Sequence, residues 1–159
     1  MGLHEQDLRL YVALSDRTPL AWSWVEQQLL DAGTYWVNAR TPGNPHPRPV
    51  WGVWSQQQVH LSVGSPTLQR AMQEDPAVTV HLDSGTDVVI VEGLVLSSAA
   101  TTQALIAAYN QKYDWDYQAS LYGELTRVQP VRVLAWRTAG RAGRKSFQAT
   151  GSWIFDDLY

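Results

Sequence analysis

Arg48, Ser65, Thr67 and Arg70 are the residues of this chain whose types and spacing could do chemistry, and what they suggest is the holding of an anion. Ser65-Pro66-Thr67 reads as a helix start, since serine is a good N-cap and proline suits the first helical position, where its missing N–H would have no partner. The free amides and positive dipole end of such a helix favour a phosphate. The hydroxyls of Ser65 and Thr67 and the Arg70 guanidinium could complete a cradle that Arg48 reaches from a neighbouring strand. The competing reading is a capped surface helix with both arginines solvated.

The elements that must position these groups can be read from the same stretch. Tyr35-Trp36-Val37-Asn38-Ala39 is a β-branched and aromatic run followed by the turn residues Thr41-Pro42-Gly43-Asn44-Pro45. In the next strand Arg48, Val50 and Gly52 share one face, while Pro49, Trp51 and Val53 share the other. The prolines at positions 45, 47 and 49 assign that strand to an edge, a bulge or the side of a ligand. Gln56 and Gln57 turn the chain back into Val59–Val63, and Leu68 and Met72 lie one turn apart on the packed face of the helix after Ser65.

On either side the pattern continues. Thr18-Pro19 opens a helix by the same cap logic, with Trp22, Val25, Leu29 and Ala32 on one face and Gly33 at its end. Residues 1–17 read as an arm, in which Leu8, Leu10, Val12 and Leu14 alternate. After Pro76 come a strand, a turn at Asp83-Ser84-Gly85-Thr86 and the long strand Val88–Leu96. Glu92 interrupts that apolar run, either exposed on the outer face or paired with an arginine such as Arg48 or Arg70. A helix over Thr101–Tyr113 packs Leu105, Ile106, Tyr109 and Tyr113, and strands follow over Leu125–Arg137 and through Trp153 to Phe155. Six or seven hairpin-linked strands with two or three helices predict an antiparallel barrel rather than alternating β and α units.

Composition removes several function classes. A chain of 159 residues with 45% apolar and 17% charged content is one globular domain, here residues 18–159 behind the arm. A formal charge of −3 argues against nucleic acid, which calls for a basic surface. The absence of cysteine excludes disulfides, thiolate catalysis and thiolate-bound metals, and it suits a cytoplasmic protein. No apolar run reaches the length of a membrane span, and the first residues lack the pattern of a secretory leader. His46, His60 and His81 are not spaced as metal ligands, and Asp114 and Asp116 do not form a glycosidase pair. No dinucleotide or nucleotide-triphosphate loop and no nucleophile elbow occurs. The eight tryptophans suit half-apolar places such as ligand rims and interfaces, or ordinary core positions.

The segments Trp36–Trp54 and Leu61–Leu82 carry a resemblance. The first resembles the x-G-x-P-H-x-x-P-V-W-x-x-W opening of the pyridoxamine 5'-phosphate oxidase-like family. The second is similar to that family's strand, phosphate loop, short helix, Asp/Asn-Pro and strand. Val88–Gly93, Lys112–Asp116, Trp136 and Trp153–Phe155 also sit where members have counterparts. The resemblance implies a mainly β, antiparallel Greek-key split barrel that works as a homodimer, with FMN in a groove between subunits. It implies a phosphate near Arg48, Ser65, Thr67 and Arg70 beside the strand end Ser62-Val63. The cofactor ring would lie against Pro49, Val50 and Trp51, with Trp136 and Trp153 contributed by the other subunit. Hydride transfer between flavin and a small organic substrate would need no catalytic side chain, because the cofactor carries the chemistry.

Two departures narrow the expectation. Leu68 stands where many members have lysine, and Thr150-Gly151-Ser152-Trp153-Ile154-Phe155 lacks the closing arginines that hold a phosphorylated B6 vitamer. The deazaflavin F420, whose longer acidic tail needs a basic groove, is the alternative cofactor, with Arg137, Arg141, Arg144 and Lys145 as candidates. The competing function class is a non-catalytic flavin- or haem-binding dimer, or a carrier of small apolar ligands on the same barrel.

Overall fold

The computed structural model describes residues 3–5, 18–97, 99–137 and 149–155. In chain order the elements are β1 (Leu3–Glu5), β2 (Thr18–Pro19), α1 (Trp22–Asp31), β3 (Tyr35–Ala39), β4 (Arg48–Val50), β5 (Gly52–Ser55) and β6 (Gln58–Leu61). Then follow α2 (Pro66–Glu74), β7 (Ala77–His81), β8 (Asp87–Val95), α3 (Gln103–Tyr113), α4 (Ala119–Tyr122), β9 (Thr126–Arg137) and β10 (Ala149–Phe155).

Strand pairing closes a barrel. β4 pairs with β3, β3 with β7, β7 with β8, β8 with β9, β9 with β6 and β6 with β5, all antiparallel. Since β4 and β5 are one path interrupted only at Trp51, the chain of pairings returns to its start. The long β9 is where the barrel splits. Its first residues, Thr126–Val128, pair with β6, whereas Arg132–Arg137 pair with β10 on that same side. The two neighbours of β9 therefore diverge along its length.

Alternation fills the interior. β3 shows a strict buried and half-buried alternation over Tyr35–Ala39, and Val37, Val59, Leu61, Val80, Val89, Val91, Val128 and Val133 are fully buried. Two close approaches require glycine. A Cβ at Gly52 would come within 2.6 Å of the His60 carbonyl oxygen, and one at Gly93 within 2.5 Å of that of Gln129. Gly93 also marks a register shift between β8 and β9, a bulge that bends the strand. The β5–β6 hairpin turns on Gln56 and Gln57, both at positive φ (52° and 59°), a conformation usually given to Asn-Gly. Between β7 and β8, the Ser84 hydroxyl accepts from the amides of Thr86 and Asp87 and fixes the expected turn.

Three sequence expectations need correction. Thr18-Pro19 does not open a helix: it pairs in parallel with Ala149-Thr150, and α1 begins at Trp22 behind Ala21, which makes no side-chain cap. Leu20 is buried, so the chain is drawn onto the sheet before it can turn into the helix. The helices number four rather than two or three among the described residues, because Ala119–Tyr122 forms a single turn. Glu92 does lie part-exposed, but its partner is neither Arg48 nor Arg70. It bonds Arg132 at 2.7 Å, directly opposite on β9. Of the arm, Leu3–Glu5 add to β10, while the alternating Leu8–Leu14 segment lies outside the described residues.

Candidate functional site

The break between β4 and β5 builds a groove. At Trp51 the strand pairing lapses, and the Trp51 carbonyl oxygen accepts instead from the Ser62 amide at 2.9 Å. This sets the end of the β6 strand beside β4 and abolishes the strict face alternation expected over Arg48–Val53. Arg48, Pro49, Val50 and Trp51 then line one depression of about 420 Å³ together with Ser62, Gly64, Ser65 and Tyr109. Six of the residues singled out from sequence thus converge.

The polar end of the groove is built around His46. Its Nε2 lies 3.4 Å from the Ser65 hydroxyl, and its Nδ1 lies 3.3 Å from an Arg48 guanidinium nitrogen. Arg48 also donates to the Pro47 carbonyl at 2.9 Å, which holds the guanidinium near its own strand. Ser65 caps α2 as expected, accepting from the Leu68 amide at 3.4 Å, and Pro66 occupies the first turn. Nothing lies within 4 Å of where a side chain at Gly64 would begin, so the backbone there is open to a ligand. Leu68 is fully buried as the apolar anchor of α2.

The apolar end is an aromatic wall raised by α3. Tyr113 pins the strand break: its hydroxyl accepts from the Gly52 amide at 2.9 Å and donates to the Gly52 carbonyl at 2.8 Å. Trp51 stacks on the Tyr113 ring, centroids 4.6 Å apart and planes within 3°, and meets Trp115 edge-on at 5.8 Å. Burial pushes the hydroxyls of Tyr109 and Tyr113 above the ordinary phenol range, and that of Tyr117 to about 12. All three are protonated donors at neutral pH. Behind the wall, Lys112 donates to the Tyr35 hydroxyl at 3.1 Å and sits over the Tyr35 and Tyr113 rings. Burial pushes its ammonium down to about 8, an effect that the Asp31 carboxylate partly offsets.

The other candidates lie elsewhere. Thr67 and Arg70 are exposed on α2, outside the lining of the groove. Val63 is 6% exposed and belongs to the main core. Trp153 is 4% exposed and packs edge-on against Trp22 at 5.3 Å. Trp136 is half-buried on β9, opposite Val88 and Thr150. Arg137 pairs with Asp87 at 3.1 Å and covers the Trp24 ring, whereas Arg141, Arg144 and Lys145 lie outside the described residues. His60 is buried with a ring nitrogen 3.3 Å from the Ser55 carbonyl oxygen, and His81 stacks on Trp36, whose indole donates to Asp83. Among the described residues no cluster of histidine and acidic side chains could hold a metal ion. None of their helices is long and apolar enough to cross a membrane.

Sequence reasoning missed His46 as the neighbour that links two of the groove's lining residues, Arg48 and Ser65, and Tyr109 as part of the groove itself. The P-H-P-R spacing held the signal for the first, since residues two apart on an extended segment share a side. Tyr109 was legible only as a packing residue, because its second neighbour is supplied by the fold.

No family model and no curated protein sequence matches this chain. Solved structures do. An F420 reductase is 19% identical with a TM-score of 0.54, covering 67% of this chain and 94% of its own. A FAD-binding protein from Mesorhizobium loti is 12% identical with a TM-score of 0.56, covering 86% and 96%. A Clostridium acetobutylicum protein of the pyridoxinephosphate oxidase family is 9% identical with a TM-score of 0.53, covering 87% and 95%. The chain has the split-barrel fold of these proteins. At these identities the likeness fixes the path of the backbone and leaves the chemistry of the split barrel's groove to its own side chains.

Proposed function

We propose that this split barrel binds FMN and serves as an oxidoreductase that passes hydride between the flavin and a small organic substrate. The observation that carries the reading is the groove itself. It joins a cationic, hydroxyl-bearing end at Arg48 and Ser65, both within hydrogen-bond reach of His46, to the flat aromatic surface of Trp51 within one depression.

The donor set fits a singly phosphorylated ring cofactor. Arg48, the Ser65 hydroxyl and the open backbone at Gly64 would hold the phosphate at the start of α2. Pro49, Val50 and Trp51 would carry the ring, and Ser62 and the protonated Tyr109 hydroxyl would offer hydrogen bonds along its edge. A bound flavin supplies the hydride chemistry. The chain's own part is to bind it, orient it and keep one face dry. F420 is the second candidate, since solved split barrels include an F420 reductase. FMN is preferred because Arg137, one of the cations available for a longer acidic tail, is already paired with Asp87.

A second copy of the chain completes the site in this proposal. Beside the groove, Trp51 is 42% exposed, Trp115 46%, Tyr122 49% and Leu121 69%, a contiguous apolar surface that suits an interface core. Titration of the purified chain with FMN and with F420, followed by tryptophan fluorescence, tests the reading. Saturation at one FMN per subunit, and reduction of that FMN by a nicotinamide donor, are expected. Failure to bind either cofactor at high micromolar concentration overturns the proposal, and binding without reduction by any donor removes its enzymatic half.

A further inference from the structure

A second depression, of about 570 Å³, lies on the far flank of α2 and shares no lining residue with the first groove. Met72, Pro76, Val95, Leu96 and Leu125 line it together with polar residues that include Arg127. Arg127 is the feature that packing alone leaves unexplained. Its Nε is buried and has no hydrogen-bond partner among the described residues, and no ion pair there includes it. A buried guanidinium N–H left unbonded carries a desolvation cost, and a site that keeps one is arranged for a partner from outside.

We propose that this pocket binds a small organic monocarboxylate with an apolar body, its carboxylate on Arg127 and its chain along Met72, Val95 and Leu96. A single guanidinium calls for a single carboxylate. Among the described residues that line the pocket, the one charged group besides Arg127 is Glu124, which is exposed and whose carboxylate accepts from the Thr101 amide at 2.6 Å. The Glu124 charge offsets part of the Arg127 attraction, which weighs more heavily against a dianion such as phosphate than against a single carboxylate that can pair with the guanidinium in a fork. The volume falls in the range of small-molecule sites, and the lining is divided between apolar side chains such as Met72, Val95 and Leu96 and polar ones such as Gln69, Gln73 and Thr126.

A built-in reporter stands next to the proposed ion pair. His60 lies directly across from Arg127 in the β6–β9 ladder and is 4% exposed. Its ring titrates below the ordinary histidine range, first because it is buried and further because the Arg127 charge opposes protonation. A carboxylate on Arg127 would neutralise that charge, so its binding must raise the His60 value.

Octanoate is a suitable probe, followed by NMR of histidine-labelled full-length protein at several pH values. The expected result is saturable binding with a dissociation constant below about 1 mM, an upward move of the His60 titration, and at least about tenfold weaker binding of octan-1-ol and of inorganic phosphate. Arg127→Gln should lose octanoate binding while the His81 resonance, at the end of β7 away from Pro76, stays in place. Absence of saturable octanoate binding to the wild-type protein overturns the proposal without reference to any variant. So does an unmoved His60, equal binding of the alcohol or of phosphate, or full binding by a folded Arg127→Gln protein.

Discussion

Two groups of aromatic residues, which come near each other in sequence at Trp51 and Trp54, serve opposite ends. Trp22, Trp54, Trp153 and Phe155 meet edge-on at centroid distances of 5.3 to 6.2 Å, and the last three are at most 6% exposed. Trp51, Trp115 and Tyr122 form a second chain of ring contacts with each partner more than 40% exposed. Trp51 and Trp54 are only three residues apart. The interruption of the strand at Trp51 sends one ring to the groove and leaves the other to the core, where its indole donates to Glu26 at 3.2 Å. Residue type alone therefore does not assign a tryptophan to ligand or core; the backbone path around Gly52 does.

The sharpest way to break this contrast is to truncate one member of each group. Trp153→Ala should lower unfolding free energy by about 3–5 kcal/mol in a urea titration, since it opens a cavity in a closed core. Any FMN affinity the folded fraction shows should be unchanged. At the polar end of the groove, Arg48→Gln should weaken FMN binding by about 1.5–3 kcal/mol, the value of a hydrogen bond to a charged group. Arg70→Gln, on the exposed side of α2, should leave calorimetric affinity within error of the wild type. Trp51→Ala should cost only about 0.5–1.5 kcal/mol of stability, for the lost stack on Tyr113, while weakening FMN binding. Equal stability losses at Trp51 and Trp153 would erase the distinction.

The smallest effect concerns the support of the exposed group. Lys112 behind Tyr113 has a folded-state value near 8, below its ordinary 10.5, so across that interval the unfolded chain holds a proton that the folded chain has released. Stability should therefore rise with pH from about 8, with the penalty fully present below that value. Above the ordinary phenol value of 10.0 the trend should reverse, because the raised values of Tyr109, Tyr113 and Tyr117 let the unfolded chain lose protons first. Denaturant melts at several pH values should show this in the wild type, and Lys112→Met should abolish the rise between pH 8 and 10.

Much of this was legible in the sequence. β-Branched, aromatic and apolar runs such as Tyr35–Ala39 and Val88–Val91 carried the strands, Ser65-Pro66 carried the start of α2, and the Arg48–Trp51 segment carried one side of the groove. The start of α1 was not legible, because Thr18-Pro19 has the chemistry of a helix cap and is used for pairing with β10. The partner of Glu92 was equally hidden: Arg132 lies 40 residues away, and only the register of β8 on β9 brings the two together. His46 fell between these cases, close to Arg48 in sequence but made part of the site by its approach to Ser65, 19 residues on.

The most direct measurement is a crystal structure of the chain grown with FMN. The account expects the phosphate within hydrogen-bond reach of Arg48 and Ser65, the ring against Val50 and Trp51, and a second subunit closing the far side. A flavin seated anywhere else, or a groove still empty at saturating ligand, would contradict it.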